Sequence, residues 1–180
     1  MEPPVEIRSL ARDDLSRVGE IDRTERIDVL FEQHGVELVA RRGSWDAPAW
    51  DPDGHGGHSV DAQHRALEQY VGAGGIARGA FSNGQLVGIG VVVPHIRPAI
   101  AQLAYLHVSR SFRSAGIGSR LAVDLEQIAR RSGDTEIVVT ATPSENTVRF
   151  YLSRGYRPTA QPLPELLELE PDDVHMSKMI

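Results

Sequence analysis

The stretch RSAGIG, Arg113 to Gly118, decides how the rest of the chain is read. Before it lies IAQLAYLHV (100–108), an apolar run that reads as a strand; after it lies SRLAVDLEQIARR (119–131), which reads as a helix. From the glycine loop onward Ile117, Leu121, Leu125 and Ile128 line one helical face, and Arg120, Asp124, Gln127 and Arg131 are left to face solvent. A strand that breaks into a glycine loop and then a helix is suited to holding phosphates. Glycines let the backbone approach closely, and successive N–H groups at a helix N-terminus point at the anion. The same hexapeptide also serves as a tight turn with no ligand, so its surroundings have to decide.

Upstream, VEIRSL (5–10) reads as a strand, and Asp13 is placed to cap a helix in which Leu15, Val18 and Ile21 recur. IDVLFEQHGVELVAR reads as a hairpin around Gln33-His34-Gly35. SWDAPAWDPDGHGG, dense in Gly, Pro and Asp, reads as a loop, and Ser59 as the cap of a helix from about Val60 to Val71. ARGAF and QLVGIGVVV flank Ser82-Asn83-Gly84, a strong hairpin signal because Asn-Gly tolerates positive φ. Pro94 and Pro98 separate that strand from IAQLAYLHV. Beyond the glycine loop come a strand EIVVTA, a short helix ENTVRFYLSR closed by Gly155, and a last strand VHMSKMI. The order gives one mixed α/β domain over 1–180, antiparallel first and then strand-helix-strand-helix-strand.

Three phosphate loops compete for the hexapeptide. A P-loop needs Lys-Ser/Thr directly after its last glycine, but Gly118 is followed by Ser119 and Arg120. The dinucleotide fingerprint needs a third glycine where this chain has Leu121, and its strand comes early in a domain. Arg113-x-x-Gly116-x-Gly118 instead resembles the motif of the GNAT superfamily of N-acetyltransferases, Arg/Gln-x-x-Gly-x-Gly/Ala. The downstream segment Ser144-Glu-Asn146-Thr147-Val-Arg-Phe150-Tyr151-Leu-Ser-Arg-Gly155-Tyr156 resembles that family's Asn-x-x-Ala-x-x-Phe-Tyr-x-x-x-Gly-Phe. The aromatic pair and the glycine match. Ser144 stands in the Asn slot, Thr147 replaces Ala, and Asn146 lies two residues late. With IDRTE (21–25) and the Trp-rich loop, the chain looks like a bacterial subgroup of the superfamily.

The resemblance implies a largely antiparallel central sheet flanked by helices, with IAQLAYLHV and EIVVTA splayed by a β-bulge to admit a pantetheine arm. It implies acetyl-coenzyme A as cosubstrate, held by Leu106, Val108, Arg113, Ser114, Ala115, Gly116, Ile117, Gly118, Ser119, Ser144 and Asn146. It implies acetyl transfer to a primary amine by direct attack in a ternary complex, with an N–H near Val108 stabilising the carbonyl oxygen. Tyr151 matches the family tyrosine that returns a proton to the thiolate. Its other reading is a core aromatic beside Phe150, which packs inward. For the base, neither motif strand carries a carboxylate. His107 has a suitable ordinary pKa, though a strand-end histidine is often a bystander. Glu25 and His175 are placed to act through water, or the base is an ordered water chain. Trp45 and Trp50 with Asp46, Asp51 and Asp53 make either an aromatic, acidic wall for a cationic amine or a surface loop anchored by one tryptophan.

Composition bounds the alternatives. With 41% hydrophobic and 24% charged residues over 180 positions, the chain is an ordinary globular protein. No cysteine is present, which excludes disulfides, thiolate nucleophiles and thiolate metal sites. Nineteen basic against twenty-five acidic residues leave a net charge of −6, which argues against nucleic acid as a partner. LVGIGVVV is too short to span a bilayer and the N-terminus lacks the layout of a secretion signal, so the cytoplasm is the expected compartment. His55, His58 and His64 match no common metal spacing, and no metal is expected. The rival functions are a non-catalytic module that senses acetyl-coenzyme A and a structural dimer partner with a decayed site. The family often pairs through its C-terminal strands, so a homodimer is also open.

Overall fold

The computed structural model describes residues 4–180; residues 1–3, at the start of the N-terminal stretch read above, lie outside it. Strand β1 (Val5–Ser9) leads through a 3₁₀ helix (Arg12–Glu20) to β2 (Glu25–His34), β3 (Glu37–Ala47) and helix α1 (Val60–Gly72). Then come β4 (Ile76–Ser82), β5 (Gln85–Arg97), β6 (Ile100–Val108), α2 (Ile117–Ser132), β7 (Glu136–Ala141) and α3 (Glu145–Ser153). The chain ends in the short β8 (Arg157–Pro158), α4 (Pro164–Leu169) and β9 (Val174–Met179). Seven strands form one sheet in the order β1-β4-β5-β6-β7-β9-β8, while β2 and β3 form a separate hairpin. Within the large sheet only β6 and β7 run parallel. The mixed, largely antiparallel α/β architecture is the one expected.

Local chemistry accounts for the elements. Asn83 and Gly84, at φ 49° and 80°, make the two-residue turn between β4 and β5. The Ser59 hydroxyl accepts from the Ala62 N–H at 3.1 Å and starts α1. Leu15, Val18 and Ile21 lie three apart and are all buried, which suits a 3₁₀ helix rather than the expected α-helix, because a period of three stacks them in line. Asp13 sits inside that helix; Ala11 is its N-cap and no side chain caps it. Pro94 does not end β5, which continues to Arg97. It falls where the β5–β6 register breaks, so its missing N–H costs no ladder bond. Ser44 to Ala47 belong to β3, and the loop begins at Pro48. β8 and α4 carry too few residues to show a period and were not expected.

Two packing features position the site. Helix α2 lies against β5 at Gly88 and Gly90: a Cβ there would come within 3.1 Å of Leu121 Cδ1 and 2.6 Å of Leu125 Cδ1. Only glycine permits that approach. The buried Glu126 then ties α2 to the far strands, accepting from Lys178 Nζ at 2.8 Å and from the Tyr156 hydroxyl at 3.2 Å. The opposite face of the sheet is covered by the 3₁₀ helix and α1, through Leu15, Val18, Ile21 and Leu67 packed on Phe81, Ile89, Val91 and Tyr105.

The parallel pairing of β6 with β7 is brief: Ile100, Ala101 and Gln102 oppose Glu136, Ile137 and Val138, and there it stops. Val91 pairs with Tyr105 and Val92 with Leu103, which leaves Ala104 as the extra residue of a bulge in β6. β7 stays paired to β9 through Ala141, so the two central strands part. Leu103 to Val108 present roughly 20 Å of strand edge with which no strand of the described residues pairs on that side.

The β2–β3 hairpin docks by a side chain acting as backbone. Gln33 Oε1 accepts from the His175 N–H at 2.8 Å, and Gln33 Nε2 donates to the carbonyls of His175 at 3.2 Å and Thr159 at 3.0 Å. Replacing Gln33 by Ala strands these part-buried groups. The expected loss is about 1–3 kcal/mol in urea unfolding. Gln33→Glu keeps the acceptor for His175 but sets a carboxylate oxygen against the carbonyls of Gly35, Thr159 and His175, and is expected to lose at least as much at neutral pH. Equal stability of the Gln33→Ala variant would contradict the tether.

Candidate active site

The glycine loop follows from how β6 ends. Ser109 N–H donates to the Val87 carbonyl at 2.8 Å, the last ladder bond, and a short 3₁₀ turn over Arg110–Phe112 redirects the chain. Ser114 (φ 68°) and Gly116 (φ 75°) are both left-handed, and Gly116 is the N-cap of α2 with no side-chain cap. Among the described residues, no protein acceptor serves the backbone N–H groups from Ser114 to Ser119; the first to be bonded is that of Arg120, to Gly116. Unpaired N–H groups in alternating conformation, at the positive end of a 16-residue helix, make an anion site. A Cβ on Gly116 would project into open space, while one on Gly118 would lie 3.4 Å from Phe150 Cε2 and 3.6 Å from Val108 Cγ2.

The same ladder bond fixes the polarity of the open edge. Ser109 N–H donates to the Val87 carbonyl across the ladder, so the alternation of an antiparallel pair turns the N–H and C=O groups of Val108 and Leu106 away from β5. They face the side from which β7 has departed. The loop and this edge are therefore continuous: a polar strand edge leads into a row of free N–H donors.

Arg113 is committed to the backbone. Its guanidinium donates to the carbonyls of Val108 at 3.2 Å, Thr24 at 3.3 Å and Arg23 at 3.3 Å. Together with Arg110 N–H on the Asp22 carbonyl (2.9 Å) and Asp22 N–H on Ser109 Oγ (3.0 Å), it straps Asp22–Glu25 to the end of β6. Glu25 then stands across the splay, 3.7 Å from Arg113 Nη1 and accepting from Asn146 Nδ2 at 2.7 Å. Ser144 is buried and caps α3, its hydroxyl 3.4 Å from the Thr147 N–H and donating to Thr147 Oγ1 at 3.0 Å.

Tyr151 rises from α3 into the core around Leu103, Val139, Ala141 and Val148, with the Phe150 and Tyr156 rings 5.1 and 5.2 Å away. It is the more buried of the aromatic pair; the expected inward residue, Phe150, is half-buried against Gly118. Burial pushes the Tyr151 pKa well above the usual phenol range, and no described residue partners its hydroxyl. It is a protonated donor with its hydrogen bond unspent.

The other face of β6 carries a second cluster. By the period of two, Tyr105 and His107 share that face, their rings 4.8 Å apart. Trp50, from the loop after β3, meets His107 edge-on at 5.4 Å, and the Arg23 guanidinium lies 4.5 Å over the Trp50 ring. The Tyr105 hydroxyl donates to Gln63 Oε1 at 2.6 Å. Burial, with Arg23 and Arg113 adding to it, lowers the His107 pKa to about 4, so the ring is neutral at physiological pH. Arg23 and Gln63 carry no sequence signal of this role; the pairing of Tyr105 with His107 was readable from strand alternation.

The remaining candidates lie elsewhere. His175 is buried on β9, and its Nε2 donates to the Glu170 carbonyl at 2.9 Å, a structural bond remote from the splay. Trp45 and Trp50 do not form one wall: Trp45 is exposed on β3 and lines a groove of about 730 Å³ with Asp172, Asp173 and His175. Asp46 pairs with Arg26 at 3.6 Å, and Asp51 accepts from the N–H groups of Asp53 and Gly54 within its own turn. Among the described residues no three His, Asp or Glu side chains form a metal-ligand group, and no helix is long and apolar enough to cross a membrane.

Comparison with known proteins bears on this geometry. The model of the acetyltransferase (GNAT) family matches residues 44–156. No curated protein sequence matches the chain. Among solved structures, nourseothricin acetyltransferase superposes with a TM-score of 0.69 at 16% identity, over 97% of this chain and 98% of that one. PaiA N-acetyltransferase from Thermoplasma acidophilum, in complex with coenzyme A, gives 0.63 at 17%, over 98% and 99%. Aminoglycoside 6'-acetyltransferase type Ii gives 0.55 at 26%, over 66% of this chain and 77% of that one. The family match spans the splayed strands, the glycine loop and α3, well over half of the chain, and the fold agrees with it: the chain belongs to the GNAT acetyltransferase family.

Proposed function

We propose that the chain is an acetyl-coenzyme A-dependent N-acetyltransferase that passes the acetyl group to a primary amine within a ternary complex. The observation that carries this reading is the row of unpartnered N–H groups from Ser114 to Ser119, continuous with the open edge of β6. The coenzyme A complex of the similar PaiA enzyme supports it. When bound, acetyl-coenzyme A supplies a thioester: one C–N bond forms at the amine as the C–S bond breaks, the amine loses a proton and the sulfur gains one.

Each residue then has a defined role. The N–H groups of Ser114, Ala115, Gly116, Ile117, Gly118 and Ser119 donate to the pyrophosphate. Leu106 and Val108 offer N–H and C=O groups to the amides of the pantetheine arm, as a missing strand would. The Val108 N–H is the donor nearest to where the acetyl carbonyl would lie; such donors are worth about 3 kcal/mol when aimed at developing charge. Arg113 holds the acceptor-side segment against this edge, and Ser144 and Asn146 fix the start of α3 and its bond to Glu25. Tyr151 donates to the sulfur. His107, already neutral, is a hydrogen-bond acceptor too weakly basic to deprotonate an ammonium itself; it and Glu25 hold water through which the proton leaves.

The reading is tested by mutation and pH. Gly116→Glu puts a carboxylate at the pyrophosphate site and is expected to weaken acetyl-coenzyme A binding by about 100-fold or more in calorimetry. Gly116→Ala controls for the positive φ, which alone costs about 1–2 kcal/mol of stability. Unchanged affinity in the Glu variant would move the cofactor elsewhere. Tyr151→Phe is expected to lower kcat by about 100-fold with cofactor affinity retained; an unchanged rate would remove Tyr151 from proton transfer. The depressed His107 pKa moves any limb from its protonation down to near pH 4. Between pH 5.5 and 8.5, kcat/KM is expected to rise with the free-base fraction of the amine. A limb near 6.5 that disappears in His107→Asn would contradict this.

A further inference from the structure

The cluster over His107 contains a charge without a partner. Arg23 Nη1 is buried and has no hydrogen-bond acceptor among the described residues, and the same is true of Trp50 Nε1, on a side chain only 9% exposed. The two side chains stack, guanidinium over indole at 4.5 Å. Every carboxylate close in sequence is spent elsewhere. Asp22 accepts from the Thr24 N–H and hydroxyl at 2.9 and 2.6 Å, and Glu25 is engaged by Asn146 and Arg113. No carboxylate of the described residues lies within 4.0 Å of Arg23. Leaving a guanidinium nitrogen and an indole N–H buried and unsatisfied is expensive, and such groups call for a partner that the described residues do not supply. They lie on the face of β6 opposite α2 and α3, beside His107, where an acceptor would approach the splay.

We propose that Arg23 and the Trp50 Nε1–H form a carboxylate clamp, and that the acceptor is an amine bearing its own carboxylate, an amino acid or a peptide acid. The proposal rests on the acetyltransferase reading and replaces the acidic wall for a cationic amine expected from the Trp- and Asp-rich loop, whose Asp46 pairs with Arg26 and whose Asp51 is bonded within its own turn. Guanidinium and indole suit such a ligand because both only donate, and a carboxylate only accepts. His107 beside them adds no negative charge, and Arg113 adds a second positive one. The acceptor's carboxylate seated on Arg23 leaves its amine free to turn across β6 toward Val108. A polycationic acceptor would meet two arginines there, with Glu25 already paired.

The test uses matched acceptors and a readout that needs no turnover. Thiol release from acetyl-coenzyme A is measured with amino acids against their carboxamides. For the best acceptor the acid is expected to exceed its amide by about 100-fold or more in kcat/KM. Arg23→Gln is expected to collapse that ratio to below about 10-fold through KM, with Arg23→Lys between the two. Affinity for acetyl-coenzyme A stays unchanged in both variants. Melting of Arg23→Gln at or above the wild-type temperature is expected, since a buried, unpaired guanidinium nitrogen is removed; a large loss of stability would make Arg23 structural and overturn the clamp. The chain has two tryptophans, so indole N–H resonances give the direct readout. N-acetylglycine, N-acetylglutamate and N-acetylphenylalanine, each against its carboxamide, are titrated into the protein. At least one acid is expected to shift the Trp50 resonance and spare the exposed Trp45, its amide doing neither. Equal rates for acids and amides, or a Trp50 resonance indifferent to all three acids, overturns the clamp while leaving the acetyltransferase reading intact. That reading fails separately, if acetyl-coenzyme A itself does not bind.

Discussion

The parting of β6 from β7 after Gln102 is the constraint on which the site depends. A parallel pair inside a sheet normally runs on until a loop ends it. Here a single extra residue, Ala104, bends β6 while β7 stays bonded to β9, and the sheet opens from its middle. An open strand edge inside a protein exposes backbone groups that want partners. The edge at Leu106 and Val108 leads without interruption into the N–H row of the glycine loop, so one long extended ligand satisfies both. The close seat of α2 on Gly88 and Gly90, and the Glu126–Lys178 tie across the core, hold the two halves apart at fixed geometry.

Two electrostatic environments meet at β6. On the α2 and α3 side the charge comes from backbone dipoles, which suit an anion without a basic side chain; Arg113, expected among the residues that hold acetyl-coenzyme A, straps the Asp22–Glu25 segment to the end of β6. On the opposite side the charge comes from Arg23 and Arg113 themselves, which add to the burial that keeps His107 neutral. The segment Asp22–Glu25 joins the two, bonded to Ser109, Arg110 and Arg113 on one side of the splay and to Asn146 on the other.

Much of this was legible in the chain. The glycine motif, the strand before it, the Asn83-Gly84 turn and the Ser59 cap rest on local backbone chemistry, and local rules read them well. The 3₁₀ helix was read as α because three apolar residues three apart fit either period. Pro94 was given too much weight, because a bulge absorbs a proline that a regular ladder would not. Arg23 over Trp50 was invisible: the two are brought together by the strap to β6, a tertiary contact with no spacing rule. The Trp and Asp residues of the loop were grouped by proximity in sequence, and β3 then carried Trp45 away from Trp50.

The most direct test of the account is amide hydrogen exchange with and without acetyl-coenzyme A. The N–H groups from Ser114 to Ser119 have no protein acceptor, so they should exchange fast in the free protein. Saturating ligand should protect them, along with those of Leu106 and Val108, and leave the sheet beyond β7 unchanged. Protection confined to other regions, or none at concentrations that saturate binding, would contradict the placement of the cofactor and the reading built on it.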